Sequence, residues 1–181
     1  MKARVIVTLE CNRHCEGCSN THDAFLQHEV LDNIRDLLSY EEIIITGGEP
    51  MLIPDKVILF AHVLRRRLNY EGKIYMYTAL FKKDLWTEYR DLFTYINGIH
   101  FTIHDGASDQ DVMELKLLSE RLPQQSGISF RLDIDTRLYE RYDFSNINFS
   151  AWSVVRRLKW LDNCKLPEEE KLFIFDLKGE R

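Results

Sequence analysis

Hydrophobic positions along the chain predict strands that alternate with helices. Short runs of β-branched and other apolar residues, ended by glycine or polar residues, are typical of buried strands, and they fall at 4–9, 42–46, 73–78, 98–104, 127–135 and 171–177. Apolar residues at helical spacing predict helices at 29–39, 57–68, 83–93, 109–122 and 152–161. Pro54-Asp55 is typical of a helix start, and Ser108 and Asp111 have the spacing of a capping box. About six strands with helices between them indicate an α/β fold.

The same alternation predicts how the strands are arranged. Strands joined by helical crossovers run parallel, with right-handed connections. A closed eightfold barrel takes at least about 200 residues, and this chain has 181. We therefore expect an incomplete, open parallel β/α barrel within one domain spanning residues 1–181. Residues 139–150 are polar and aromatic without clear periodicity, which predicts a loop.

Composition and charge exclude several classes of protein. The chain carries 24 Lys and Arg against 29 Asp and Glu, a net charge of -5, so it has no basic field for wrapping nucleic acid. The apolar stretch near the N-terminus is too short for a signal peptide, and no run reaches the roughly 18 apolar residues of a membrane-spanning helix. We therefore expect a cytoplasmic protein with neither nucleic acid nor a membrane as partner.

Three of the four cysteines, Cys11, Cys15 and Cys18, lie in one short segment after the first predicted strand. In a reducing compartment this clustering indicates metal ligation before disulfides. Three thiolates could hold a 4Fe-4S cluster, which is normally closed by four cysteines, and leave one iron open to a substrate or cofactor. A tetrahedral zinc site is the alternative, and the cysteines alone leave both open. Its fourth ligand would be His14, His22, His28 or Cys164. Without such a role, Cys164 is expected to be a buried apolar side chain.

The segment Thr46-Gly47-Gly48-Glu49-Pro50 ends the second predicted strand. Parallel strands place this end beside the segment that follows the first strand, so the cysteines and this segment should be neighbours. Glycines allow a ligand to approach the backbone closely, and a carboxylate can accept hydrogen bonds from an ammonium group. The alternative interpretation is a turn that only ends a strand.

Together, the Cys-x3-Cys-x2-Cys spacing and the Gly-Gly-Glu-Pro segment resemble the signature of the radical S-adenosylmethionine superfamily. The resemblance implies that Cys11, Cys15 and Cys18 hold a 4Fe-4S cluster whose open iron binds the amino and carboxylate groups of S-adenosylmethionine. An electron from a donor such as flavodoxin or ferredoxin would cleave that cofactor, and the 5′-deoxyadenosyl radical would abstract a substrate hydrogen atom. Four cysteines leave no ligand set for a second cluster. The cofactor-binding residues expected from the resemblance are Gly47, Gly48, Glu49 and Thr78.

A narrower resemblance bears on the substrate. Gly17-Cys18-Ser19-Asn20 has the Gly-Cys-x-Asn form of the activating enzymes of anaerobic ribonucleotide reductase, although Gly17 stands where the superfamily often has an aromatic residue. Residues 74–78 resemble the third strand of those enzymes, with Ala79 in place of their glycine. This resemblance implies a glycyl-radical enzyme as partner. A small-molecule substrate is the alternative, as in the 7-carboxy-7-deazaguanine synthases, which share the Gly-Gly-Glu-Pro segment and the single cluster. A non-enzymatic iron-sulfur or zinc module is the alternative of another class.

Two later strands carry polar residues at alternate positions, so these side chains share one face of each strand. They are His100, Thr102 and His104 in the fourth strand, and Arg131, Asp133 and Asp135 in the fifth. If these faces line the lumen, His104 and Asp135 lie nearest the cluster end and are the candidate catalytic residues. The alternative is a solvent-facing edge, or structural pairing of Arg131 with Asp133. An aromatic group is expected to cover the open side of the barrel: Tyr139, Tyr142, Phe144, Phe149 and Trp152.

Overall fold

Eight parallel strands form one open sheet in the computed structural model, which describes residues 1–13, 15, 18, 28–123, 127–159 and 168–175. The strands lie in the order β2-β8-β1-β3-β4-β5-β6-β7, and β2 and β7 are the edges. The α/β fold with an incomplete parallel barrel is thereby confirmed, with two more strands than expected. The strands are β1 (Lys2–Ile6), β2 (Glu29–Val30), β3 (Glu42–Thr46), β4 (Lys73–Thr78), β5 (Gly98–Ile103), β6 (Ser129–Asp135), β7 (Val154–Leu158) and β8 (Glu170–Ile174).

Helices connect most of these strands. The α-helices are α1 (Pro54–His62), α2 (Leu85–Glu88), α3 (Leu92–Tyr95) and α4 (Asp109–Arg121), and a π-helical turn, Val63–Arg67, extends α1. The capping box that the sequence predicts is present at the start of α4, where Ser108 and Asp111 exchange hydrogen bonds with each other's backbone. No helix among the described residues is long and apolar enough to cross a membrane.

One predicted helix is wrong and another is shortened, because strand pairing overrides helical spacing. Residues 152–161 do not form a helix where they are described, since Val154–Leu158 is a strand that pairs in parallel with β6. In the segment 29–39, the first two residues pair with β8, and only Ile34–Ser39 is helical, as a 3-10 helix capped by Asn33. The predicted helix over 83–93 is present as two short helices, α2 and α3.

The two faces of the sheet differ in polarity, because side chains alternate along each strand. One face is apolar and packs with residues of the helices into the hydrophobic core; its buried residues include Ala3, Val5, Ile43, Ile45, Ile74, Met76, Ile99, Phe101, Leu132 and Ile134. The register places a second set on the opposite face: Arg4, Tyr77, His100, Asp133 and Arg156. This polar face is the wall of the open barrel's lumen.

The aromatic group after β6 lies on the apolar face, which corrects the expectation that it covers the open side of the barrel. Trp152 packs edge-on against Phe101, with ring centroids 5.4 Å apart, and its indole Nε1 donates to Ser119 Oγ of α4 at 2.9 Å. Residues 136–151, expected to be partly a loop, contain two 3-10 helices, Thr136–Glu140 and Phe149–Ala151. This segment therefore extends the helix layer beside α4.

Candidate functional site

The cysteine segment and the Gly-Gly-Glu turn are direct neighbours at the carboxyl ends of β1 and β3. Gly48 N donates to Thr8 O, and Glu49 N donates to Glu10 O, each at 2.7 Å. These two bonds continue the pairing of β1 with β3 beyond the last paired residues, Ile6 and Thr46. The neighbourhood predicted from parallel strand ends is therefore confirmed, and the backbone entering the cysteine segment is fixed by the turn.

The two glycines are required by this contact. Gly47 has a φ of 139°, which side chains rarely adopt, and a Cβ there would lie 2.3 Å from Thr8 O. A Cβ at Gly48 would lie 1.9 Å from Glu10 O. A side chain at either position would push the cysteine segment away from the turn. The turn thus does more than end a strand, because it docks the segment that carries the cysteines.

Glu49 is buried and holds the end of β4 to the turn. Its Oε1 accepts from Thr78 Oγ1 at 2.6 Å and from Met51 N at 2.9 Å, and its Oε2 accepts from Ala79 N at 2.8 Å. Burial raises the pKa of Glu49, and the hydrogen bond from Thr78 opposes that effect. Both carboxylate oxygens therefore already have protein partners, and Thr78 is tied to the same group.

The three thiols lie at the surface of this end of the sheet. Cys11 is exposed, Cys15 and Cys18 are partly buried, and Cys18 N donates to Cys15 O at 3.2 Å. Burial raises the pKa of Cys15, and the nearby thiols of Cys18 and Cys11 raise it further. Thiols that repel one another as thiolates suit an inorganic centre, because its metal ions supply the compensating positive charge.

A zinc site, the alternative interpretation, needs its ligands gathered around one ion. Among the described residues, no three His, Cys, Asp or Glu side chains are grouped closely enough to hold one metal ion. Three of the proposed fourth ligands, His14, His22 and Cys164, lie outside the described residues, as do Gly17, Ser19 and Asn20. In the described part of the chain the three cysteines would therefore have to draw closer together to hold either a zinc ion or an iron-sulfur cluster.

Arg13, between the first two cysteines, is a site residue that the sequence analysis missed. Its guanidinium binds both carboxylate oxygens of Asp111 on α4, and its Nη2 also donates to Ala79 O at 2.7 Å. Ala79 is the residue whose N–H binds Glu49. The only sequence signal is a cation within a cysteine segment, and nothing local to that signal identifies Asp111, which is 98 positions away.

A polar network, buried at His100 and Asp133 and half-exposed at Arg156, crosses the lumen face of β4 to β7. His100 lies 2.8 Å from Asp133, which also accepts two hydrogen bonds from Arg156, at 2.7 and 2.8 Å. Tyr77 stacks on the His100 ring with centroids 4.4 Å apart. Burial acts to raise the pKa of Asp133, but the hydrogen bonds from His100 and Arg156 outweigh it and lower the pKa.

Pairing of Arg131 with Asp133, an alternative left open by the sequence, is not found. The Arg131 guanidinium lies over the Tyr75 ring, 4.9 Å from its centroid, while Asp133 is occupied by its partners on the neighbouring strands. His100 and Asp133 are each only 3% exposed, so they do not form a solvent-facing edge. The polar face therefore belongs to the interior of the open barrel.

The candidate catalytic residues, His104 and Asp135, follow β5 and end β6 at the cysteine end of the sheet. Asp135 is fully buried, and it accepts hydrogen bonds from Arg137 N, Nε and Nη2 at 3.0, 3.0 and 2.8 Å. Burial opposes its ionisation, but the bonds from Arg137 outweigh burial and lower the pKa of Asp135. Burial and the positive charge of Arg13 lower the pKa of His104 to about 4. At neutral pH the site thus has a neutral imidazole and a paired carboxylate.

The neutral state of His104 predicts a specific loss of stability in acid. Because its folded-state pKa is about 4, below the ordinary 6.5, the unfolded chain binds more protons between these values. His104 therefore contributes its full stability above pH 6.5. This contribution is lost as the pH falls from 6.5 towards the folded-state pKa of about 4. Between pH 7 and pH 5, we expect the unfolding free energy of a His104→Asn variant to fall by about 2 kcal/mol less than that of the wild type. Urea denaturation of both cluster-free proteins measures this, and parallel pH profiles would contradict it.

Comparison with known proteins identifies the family of this chain. A search of curated proteins found no match. A family model described as a 4Fe-4S single cluster domain matches residues 3–126, which is more than half of the chain. The matched region contains the cysteine segment, the Gly-Gly-Glu turn, Arg13 and α4. This chain belongs to the family of 4Fe-4S single cluster domains, a family of the radical S-adenosylmethionine type.

Proposed function

We propose that this protein cleaves S-adenosylmethionine reductively at one 4Fe-4S cluster and uses the resulting radical to abstract a hydrogen atom. One observation carries the proposal. The backbone that leads into the three cysteines is hydrogen-bonded directly to the Gly-Gly-Glu turn. A cofactor bound to a cluster on this segment would therefore meet the turn and the end of β4.

The residues present suit these two groups. Cys11, Cys15 and Cys18 would hold the cluster, and its fourth iron would take the amino and carboxylate groups of S-adenosylmethionine. When bound, the cluster supplies the electron that breaks the S–C5′ bond of the cofactor, with flavodoxin or ferredoxin as the proposed donor. The residues we propose around the cofactor are Gly47, Gly48, Glu49 and Thr78.

The protein's own contribution is a fixed frame. Glu49 holds Thr78 and Ala79 in place through two hydrogen bonds and accepts a third from Met51 N, so the turn and the strand end need no reorganisation when a ligand arrives. Gly47 and Gly48 let the turn lie directly against the backbone of Thr8 and Glu10, and we propose that an ammonium group held beside the cysteine segment therefore meets the carbonyl oxygens of the turn. The buried carboxylate of Glu49 adds negative charge behind that position.

Glu49→Ala should retain the cluster and weaken S-adenosylmethionine binding. Removing the carboxylate frees Thr78 and Ala79 N and takes away negative charge near the ammonium group, at a cost of about 1.5–3 kcal/mol. Isothermal titration calorimetry of the reconstituted protein with S-adenosylmethionine measures the loss of binding free energy. Glu49→Gln, which keeps the side-chain shape, should lose less. Unchanged affinity in Glu49→Ala would mean that the turn only docks the cysteine segment.

As the substrate we propose the glycine of a glycyl-radical enzyme. A partner protein must insert a loop to reach the cluster end, because hydrogen transfer needs van der Waals contact. The segments that follow β5 and β6 support this, since α4 and the apolar residues of 138–151 pack on the apolar face, while Arg137 reaches Asp135 at the end of β6. Residues 139–152 therefore do not seal the mouth.

The glycyl-radical proposal is tested with a labelled partner. The reconstituted protein, reduced with dithionite and given S-adenosylmethionine, is mixed with the glycyl-radical subunit of an anaerobic ribonucleotide reductase whose glycines are α-deuterated. We expect a glycyl radical in the electron paramagnetic resonance spectrum and one deuterium in the 5′-deoxyadenosine. Formation of unlabelled 5′-deoxyadenosine without a glycyl radical would reject this substrate.

A small polar molecule is the second candidate substrate, and the lumen network favours it. The buried side chains of His100 and Asp133, with the half-exposed Arg156, place directional hydrogen-bonding groups on the polar face of the sheet. A large loop of a partner would not require such groups deep in the lumen. His100→Ala would distinguish the two, because it should impair a small substrate that reaches the network and leave hydrogen transfer from a protein glycine unchanged.

A further inference from the structure

Arg13 joins three separate parts of the site through one side chain. It belongs to the cysteine segment, its guanidinium binds both oxygens of Asp111 at the start of α4, and it donates to Ala79 O beyond the end of β4. We propose that Arg13 is a positioning residue that holds the cysteine segment in place for the cluster and that its charge tunes the reduction potential of the cluster. The proposal rests on the cluster of this family and is independent of S-adenosylmethionine.

The partners of Arg13 are themselves fixed by other contacts. Asp111 Oδ2 accepts from Ser108 N at 2.9 Å within the capping box, so the carboxylate has a set orientation. Although burial opposes it, the hydrogen bonds from Arg13 and Ser108 lower the pKa of Asp111, which keeps the carboxylate ionised. Ala79 is held on its other side by Glu49. Arg13 therefore binds a preformed acceptor site.

These contacts complete a ring around the cysteine segment. The segment is held at its start by the turn, through Thr8 O and Glu10 O, and in its middle by Arg13. The turn is joined by Glu49 to Ala79, and Ala79 is joined by Arg13 back to the cysteine segment. Fixing the segment at two points lowers the entropy lost when the thiolates gather on the cluster. The backbone of the segment, though not yet the three thiolates as a ligand set, is thus held in place before the cluster arrives.

Burial gives the charge of Arg13 more weight than that of a surface residue. The side chains of Arg13 and Asp111 are 14% and 19% exposed. Arg13 stands two positions from Cys11 and two from Cys15, so its charge belongs to the segment that would hold the cluster. A cation beside a thiolate-ligated cluster favours the more negative, reduced state, so it raises the reduction potential. The Nε of Arg13 is buried without a hydrogen-bond partner in the described part of the chain, which leaves one donor for a group that arrives with the cluster.

The test compares Arg13→Gln, Arg13→Lys and Asp111→Asn with a control at the other end of the same helix. The control is Arg121→Gln, which removes the exposed ion pair between Arg121 and Asp84. For each protein, iron is measured after anaerobic reconstitution with iron and sulfide, hydrogen exchange is followed over residues 11–18 of the cluster-free protein, and the midpoint potential of the cluster is titrated. We expect Arg13→Gln to weaken cluster retention about tenfold, to speed exchange in the segment and to make the potential more negative.

The other variants should show smaller effects than Arg13→Gln. Asp111→Asn keeps an oxygen for the Ser108 cap, and it should shift retention and exchange in the same direction as Arg13→Gln but less. Arg13→Lys keeps the positive charge, so its midpoint potential should be close to that of the wild type. Its cluster retention should lie between those of Arg13→Gln and the wild type. Arg121→Gln should match the wild type in all three measurements.

Wild-type retention and potential in Arg13→Gln would overturn the proposal. A lower melting temperature with unchanged potential and exchange would also overturn it, because that result indicates a merely structural contact. If Arg13→Gln does not fold, Asp111→Asn tests the positioning role through retention and exchange, and Asp111→Asn should make the midpoint potential more positive, because the carboxylate that offsets the charge of Arg13 is lost. A protein that holds its cluster but does not cleave S-adenosylmethionine would reject the proposed function and leave this result standing.

Discussion

Replacing Cys11, Cys15 or Cys18 with alanine should abolish the iron-sulfur chromophore. The family is defined by a single 4Fe-4S cluster, and these cysteines have the ligand spacing. A three-cysteine site has no spare thiolate, so each substitution leaves two iron sites without a protein ligand. Visible absorption, and iron and sulfide content after anaerobic reconstitution, measure the result.

Cys164→Ala is the matched control for the three substitutions, because it removes the fourth cysteine of the chain. It should retain the full chromophore and iron content. Loss of the cluster in Cys164→Ala would show that the site is closed by four cysteines, and no iron would then be open to a cofactor.

Gly48→Ala should be the most damaging substitution outside the cysteines. The new Cβ would lie 1.9 Å from the backbone oxygen of Glu10, and no side-chain rotation can relieve a contact with backbone. The hydrogen bonds that dock the cysteine segment on the turn must then break. We expect the cluster-free protein to lose about 2–4 kcal/mol of unfolding free energy through overpacking and lost hydrogen bonds, and the reconstituted protein to lose most of its iron.

Gly106→Ala is the control for this substitution. No heavy atom lies within 4 Å of the position that its Cβ would take. Its unfolding free energy should stay within about 1 kcal/mol of the wild type, and its iron content should not change. Equal effects of the two substitutions would mean that the contact between turn and cysteine segment does not matter.

Where the sequence signals were local, they predicted the fold well. Strands β3 and β4 begin and end at the predicted residues, 42–46 and 73–78, because β-branched and apolar runs suit strands buried on both faces of a parallel sheet. Helix α4 was predicted from its capping box, whose two residues are three positions apart. In these elements local preference and tertiary structure agree.

Elsewhere, pairing with distant strands decided the structure. Strand β7 contains Val154 and Val155 and pairs with β6, more than twenty positions earlier in the chain, although its apolar spacing also suits a helix. Strand β2 has only two residues, and its pairing with β8 at Phe173 and Ile174 leaves no local pattern. The sequence predicted that the aromatic residues after β6 act together as a cover. Which face of the sheet they cover depends on contacts with Phe101 and α4.

The candidate site shows the same contrast between features that local sequence predicts and contacts that join distant positions. The adjacency of the cysteines and the Gly-Gly-Glu turn followed from the rule that parallel strands end at one edge. The bond of Glu49 to Thr78 joins positions 29 apart, and that of Arg13 to Asp111 joins positions 98 apart. Such contacts depend on which strand ends and helix starts meet, and that arrangement appears only in the folded chain.

In the function proposed for this protein, one iron of the cluster is open and binds S-adenosylmethionine. The most direct measurement is the electron paramagnetic resonance spectrum of the reduced, reconstituted protein with and without S-adenosylmethionine. Binding at an open iron should change the g values of the cluster signal, and a Cys164→Ala protein should respond in the same way. A fully loaded cluster whose spectrum is identical with and without S-adenosylmethionine would contradict the claim.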